Sequence, residues 1–142
     1  MKKYGIVNPR LMGALTALWH YDKFAITDVG MPLPKGAEVI GLSIIPGMPE
    51  FMTVLRIILK EVTVEEYTIF DTMKQYNSET YQALEALLCR QGRHECSMAE
   101  WIELSRECRF FVRTGELLPC SNIILESAPV HEIFREKYDV VL

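Results

Sequence analysis

Residues 18–34 read LWHYDKFAITDVGMPLP, and this stretch decides the fold class. Just upstream, Asn8-Pro9 supplies a capping side chain and a proline at the first helical position. Leu11, Leu15 and Leu18, flanked by Met12 and Trp19, recur at helical spacing. The spacing predicts a helix from Pro9 that ends near Trp19–His20. KFAITD (23–28) then reads as a short strand ending on Asp28. Gly30, Pro32 and Pro34 stop it, because proline lacks the N–H a ladder needs and glycine permits positive φ.

The same alternation continues outward. AEVIGLSII (37–45) is almost wholly apolar and predicts a strand buried on both faces. Pro46, Gly47 and Pro49 break it. PEFMTVLRIILKEV follows as a helix with Pro49 at its start and Phe51, Val54, Leu55, Ile58 and Leu59 inward. EEYTIFDTM is a third strand, NSETYQALEALLCR a helix capped by Ser78, and GRHECS a short strand. Ser97-x-x-Glu100 is a capping box that puts Met98 first in the next helix. RFFVRTG is a strand ending at Gly115, ELLPCS a loop and NIILES a last strand, and the tail PVHEIFREKYDVVL is amphipathic, helix or strand. Helices alternating with strands at these lengths predict an α/β fold: a three-layer α/β/α sandwich on a largely parallel mixed sheet, as one domain over 1–142. Ligands in such sheets sit beyond the carboxyl ends of strands, where Asp28 and Gly115-Glu116 fall.

Composition narrows the partners. The 142 residues are 49% hydrophobic and 24% charged, which is globular rather than disordered. A net charge of −4 and scattered basic residues argue against nucleic acid as a partner. No apolar stretch reaches membrane-spanning length, since FMTVLRIIL is broken by Arg56. Asn8, Pro9 and Arg10 interrupt the apolar run after the first lysines and no small-residue cleavage site follows, so a cytoplasmic chain is expected. Cysteines 89, 96, 108 and 120 form no C-x-x-C, and His94 has no second histidine at ligand spacing. Reduced, mostly buried thiols and no metal are expected. Neither G-x-G-x-x-G, nor a phosphate-binding G-x-x-x-x-G-K-[ST], nor a G-x-S-x-G elbow is present.

Few residues remain to carry chemistry. His20, at the predicted helix end, is a candidate general acid, since imidazole titrates near cell pH and a helix carboxyl end favours its charged form. The competing reading is a C-cap or core histidine. Asp28 can accept a hydroxyl hydrogen bond or orient an imidazole; the competing reading is a turn aspartate bonded to the backbone at residue 30. Asp22 fits a cap on the turn into the strand. His94, His131 and the pair Glu65-Glu66 read as solvated surface. Trp19 and Trp101 read as core, with stacking on a sugar face as the alternative.

Taken together, MKK, L-x-H-x-D at 18–22, D-x-G-x-P-x-P at 28–34, G-x-P-x-F-M-x-V-L at 47–55, R-T-G-E at 113–116 and N-I-I-L at 122–125 resemble the D-ribose pyranase and L-fucose mutarotase family, nearer its ribose side. The similarity covers about residues 1–126, and residues 129–142 extend past the family's usual end. It implies an enzyme that interconverts ring forms and anomers of a free monosaccharide without a cofactor. It also implies a ring-shaped homo-oligomer, pentamer or decamer, with sites shared between neighbouring subunits. By position His20 matches the proton donor, and Asp28, Met98, Cys120, Ser121 and Asn122 match the sugar-binding set. Cys120-Ser121-Asn122 stands where ribose-type members have Tyr-Ala-Asn. Met98 stands where they have histidine (fucose-type members have arginine), and Ile102 where a lysine is expected. A hydrogen bond to a charged group contributes about 1.5–3 kcal/mol, so these changes point either to a less polar substrate, such as a deoxy sugar, or to a non-catalytic binding module on the same scaffold.

Overall fold

In the computed structural model, which describes residues 1–142, the stretch 18–34 becomes a helix end, a pinned turn and a central strand. Helix α1 (Pro9–Thr16) starts as the sequence requires, with the Asn8 side chain accepting from the Leu11 N–H. It ends at Thr16, with Ala17 as its C-cap, short of the expected Trp19–His20. The reason is a competing turn: the Asp22 carboxylate accepts from the Trp19 N–H at 2.7 Å, and the Trp19 carbonyl accepts from the Asp22 N–H. Asp22 is itself held by Arg109 at 2.6 Å. Tyr21, inside the turn, has a φ of 68°, a left-handed conformation rarely adopted by an aromatic residue.

The sheet contains β1 (Lys23–Thr27), β2 (Val39–Gly41), β3 (Val64–Phe70), β4 (Gly92–Cys96), β5 (Cys108–Arg113) and β6 (Ile123–Ser127), in the order β2-β5-β1-β6-β3-β4. Every strand runs parallel to the others except β6, which lies antiparallel between β1 and β3. The largely parallel mixed sheet is therefore present. Side-chain alternation divides the core. Phe24, Ile26, Phe110, Val112, Ile123 and Leu125 share one face with α1, α2 (Phe51–Leu59) and α4 (Ser78–Leu87). Ala25, Phe70, Phe111 and Ile124 face Trp101 of α5 (Met98–Ser105) on the other. The first cluster holds 23 buried residues and the second 7, so α5 covers only part of its face.

Several expectations are corrected. The second strand is not a long, doubly buried one: β2 spans three residues, only Ile40 of them is buried, and Ile44 and Ile45 are exposed. It pairs with β5 alone, at the sheet edge, where one side has no neighbour. The third strand, expected through Met73, ends at Phe70, and a turn at residues 71–72 leads into α3 (Met73–Tyr76). The α4 cap is Asn77, which accepts from the Thr80 N–H, rather than Ser78. Trp19 is 75% exposed instead of core, whereas Trp101 is fully buried. All four cysteines are free thiols, but only Cys96 is buried. Burial pushes the Cys96 thiol up to about 11 and that of Cys108 up to about 12, so neither forms a thiolate near neutral pH.

The capping box at α5 forms as read: the Ser97 side chain accepts from the Glu100 N–H, and the Glu100 carboxylate from the Ser97 N–H. The tail resolves as helix α6 (Glu132–Lys137). It is tied down by Gln91, which donates to the Tyr138 carbonyl at 2.6 Å, and by Arg90, which donates to the Glu136 carbonyl. No helix is long and apolar enough to cross a membrane.

Candidate active site

The carboxyl ends of β1, β3, β4 and β5 open on one cleft of about 700 Å³, whose walls include Asp28, Met98, Cys120 and Asn122. Four of the expected sugar-binding residues thus converge, although the sequence places them as far as 94 positions apart. Asp28 and Asn122 bind each other in both directions. The Asp28 N–H donates to Asn122 Oδ1 at 3.0 Å, and Asn122 Nδ2 donates to Asp28 Oδ2 at 2.8 Å. Asp28 Oδ1 also accepts from the Gly30 N–H at 3.0 Å. The turn reading of Asp28 is therefore present, and with one N–H bond on each carboxylate oxygen the group retains capacity to accept further hydrogen bonds.

The loop before β6 supplies part of the wall. Cys120 has a φ of 61°, and its thiol lies 3.8 Å from the Thr72 hydroxyl. Asn77 Nδ2 donates to the Pro119 carbonyl at 3.0 Å and to Ser121 Oγ at 3.1 Å, so the α4 cap also braces this loop. Ser121 is fully buried and supports the wall from behind. Glu116 borders the cleft as well, with its carboxylate accepting from the Phe51, Leu117 and Leu118 N–H groups. Gly115, one residue earlier, cannot carry a side chain: an added Cβ would fall inside the Met48 backbone. Ile102 does not line the cleft; it borders the adjacent groove with Leu33 and Arg106. Glu116 falls where the sequence placed a strand end beside the site, whereas Asn77 escapes a sequence-only reading because it acts through a contact formed only after folding.

The cleft has carboxylates, Asp28, Asp71 and Glu116, but no lysine, arginine or histidine on its walls. Its own chain therefore supplies acceptors there and no cationic proton donor. His20 lies elsewhere. It precedes β1 while Asp28 follows it, and a five-residue strand separates them. At about 3.3 Å per residue that is about 16 Å, far beyond the roughly 3 Å at which a general acid works.

The surroundings of His20 also differ from expectation. Because α1 stops at Thr16, His20 does not stand at the helix end. Instead, His20 Nε2 lies 2.9 Å from Glu65 Oε1. Glu65 is thus not a solvated strand entry: its side chain is 13% exposed, against 47% for Glu66. His94 pairs with Glu66 on the surface, and His131 is exposed before α6, as read for both.

Comparison with known proteins agrees with this architecture. The model of the RbsD / FucU transport protein family matches residues 1–130. A D-ribose pyranase of Coprothermobacter proteolyticus is 42% identical over 130 residues, covering 92% of this chain and 99% of the relative. Among solved structures, Bacillus subtilis RbsD complexed with D-ribose superposes with a TM-score of 0.89 at 35% identity, covering 92% of this chain and all of that one. A Streptococcus pneumoniae fucose mutarotase in complex with L-fucose shares the fold at a TM-score of 0.71 and 18% identity, covering 88% of this chain and 95% of the other.

Proposed function

Since this chain belongs to the RbsD / FucU family, we propose that it is an isomerase of the pyranase and mutarotase type, interconverting ring forms and anomers of a free monosaccharide. The observation that carries this reading is the mutually bonded Asp28–Asn122 pair on the wall of the cleft. No observation favours the non-catalytic binding module.

The chemistry requires only proton transfers. A donor protonates the ring oxygen as the bond from that oxygen to the anomeric carbon breaks. The anomeric hydroxyl gives its proton to water as the carbonyl forms. Rotation and reclosure through the same or another hydroxyl give a new anomer or ring size. Asp28 accepts a sugar hydroxyl, and Asn122 fixes the Asp28 carboxylate. His20 is the donor, and because it sits at the far end of β1, it serves the cleft of a neighbouring copy. A ring-shaped oligomer, pentamer or decamer, then has one complete site at each subunit junction. Positioned acid–base groups typically supply about 10²–10⁴-fold, enough for a reaction that already proceeds in water. Free thiols at every cysteine fit a reducing compartment, the cytoplasm.

Met98 and Cys120 set the substrate preference. They present a thioether and a thiol to the sugar, which favours a ligand with an apolar group on that side, such as a deoxy sugar. The test is saturation-transfer NMR on free pentoses, hexoses and deoxy sugars. Acceleration of ring-form exchange for at least one sugar, abolished by His20→Ala, is the expected result. No acceleration on any of them would sink the reading.

A further inference from the structure

We infer that Glu65 is a positioning residue that holds His20 by Nε2 and thereby makes Nδ1 the nitrogen that exchanges a proton with the sugar. This rests on the reading of His20 as the donor and goes beyond it, because that reading does not say which ring nitrogen acts or what orients it.

Three separate features converge on the ring. The first is the contact itself: His20 Nε2 lies 2.9 Å from Glu65 Oε1, and His20 Nδ1 has no partner within the chain. A carboxylate accepts only, so the shared proton sits on Nε2. The second is the backbone under Glu65. Val64 pairs with Ser127 and Glu66 with Glu126, so β3 advances two residues where β6 advances one. Glu65 is the extra residue of a β-bulge, a device that re-aims a side chain out of the ladder. The third is Tyr21. Its φ of 68° places its ring flat against the imidazole, with centroids 3.6 Å apart and planes 22° from parallel. The Tyr21 N–H is pinned to the Ser127 carbonyl at 3.1 Å, on the same strand that pairs with the bulge. One face of the ring and one nitrogen are therefore occupied, which leaves Nδ1 for chemistry.

The proton balance follows. In the charged ring both nitrogens carry hydrogen. Nδ1–H gives its proton to the ring oxygen, which takes the electron pair of the breaking carbon–oxygen bond. Nε2–H stays on Glu65 throughout, so the neutral ring is left in a single tautomer, ready to recover a proton at Nδ1 on reclosure.

The pair His94–Glu66 provides an internal control. It has the same chemistry at 3.0 Å, but both side chains are about half exposed, with 57% and 47% of their surface open.

The test uses the full-length chain labelled with 15N at histidine. Two-bond proton–nitrogen spectra should show neutral His20 as the Nε2–H tautomer, with the signal assigned by its loss in His20→Ala. In Glu65→Gln the amide can donate or accept, so that tautomer should no longer dominate. In the same variant kcat should fall about 10–100-fold with KM held within about twofold, since the group acts through the donor and not on bound sugar. Glu66→Gln should change neither. An Nδ1–H tautomer in the unaltered protein overturns the inference, and that measurement stands even if Glu65→Gln fails to fold. An unchanged kcat in folded Glu65→Gln, with His20→Ala inactive, overturns it too. Full activity in His20→Ala overturns the underlying donor assignment instead.

Discussion

Mixing two inactive variants tests the shared site directly. His20→Ala removes the donor, and Asp28→Ala removes the carboxylate that Asn122 and Gly30 orient. Each change alone lowers the rate by about 10²–10⁴-fold if acid–base positioning is the catalytic device. Within one chain these residues flank the five-residue strand β1 and are separated by about 16 Å, so a site built in one subunit could not use both. If each site takes His20 from one copy and Asp28 from the next, co-assembled variants regenerate intact pairs. At equal, random incorporation, about one junction in four joins an unaltered His20 to an unaltered Asp28. The mixture should therefore recover about a quarter of the unaltered rate, where either variant alone shows about 1% or less. The assay is ring-form exchange by saturation-transfer NMR on oligomers purified through two different tags, so that only mixed assemblies are measured. A mixed assembly no faster than its separate parents would refute the argument, because sites complete within one chain cannot be repaired by a neighbour.

Three further outcomes follow from the geometry. Partial burial alone would raise the Asp22 carboxyl, but the Trp19 N–H and the Arg109 guanidinium outweigh it and hold the group below the usual aspartate value. The unfolded chain then takes up the proton first on acidification, so this stabilisation is complete above the ordinary aspartate pKa and is lost as pH falls through the lowered one. Calorimetry should show Asp22→Asn melting below the unaltered protein at neutral pH, with the gap closing as the pH falls below the ordinary aspartate range; a gap that stays constant on acidification would contradict the assignment. Gly115→Ala drives a methyl into the Met48 backbone, while Gly47 N–H to Gly115 O at 2.6 Å and Gly115 N–H to Pro49 O at 2.9 Å hold the two segments together. Overpacking of this kind costs about 1–3 kcal/mol or more, and an unchanged urea midpoint would show that the loops can part. Met98→His combined with Cys120→Tyr restores polar groups to the cleft, and KM for D-ribose should fall by about tenfold or more; no change in KM would remove both positions from the sugar contact.

Most of the fold was legible because it rests on local signals. Asn8-Pro9, the Ser97–Glu100 box and the short apolar runs of β1 and β6 act within one turn or one strand, and each appears in the structure as read. The apolar run 37–45 misled because burial depends on neighbours: β2 lies at an edge, so its apolar residues are left half-open. The cap of α4 was displaced by one residue because Asn77 also braces residues 119–121, a constraint its own neighbourhood in sequence does not show.

The candidate site divides in the same way. Sequence by itself determined the α/β alternation, the strand end at Asp28 and, through resemblance, four of the residues that line the cleft, because periodicity, capping and motif spacing are properties of the chain alone. Tertiary structure alone decided that His20 stands at the wrong end of β1 to reach Asp28 of its own chain. It also decided that α1 stops short of His20 and that a bulge turns Glu65 back toward the imidazole. These are matters of distance and direction between strands, set by register and by a turn that Asp22 and Arg109 close. No linear pattern carries them, since residues far apart in sequence acquire a common neighbour only when the sheet forms.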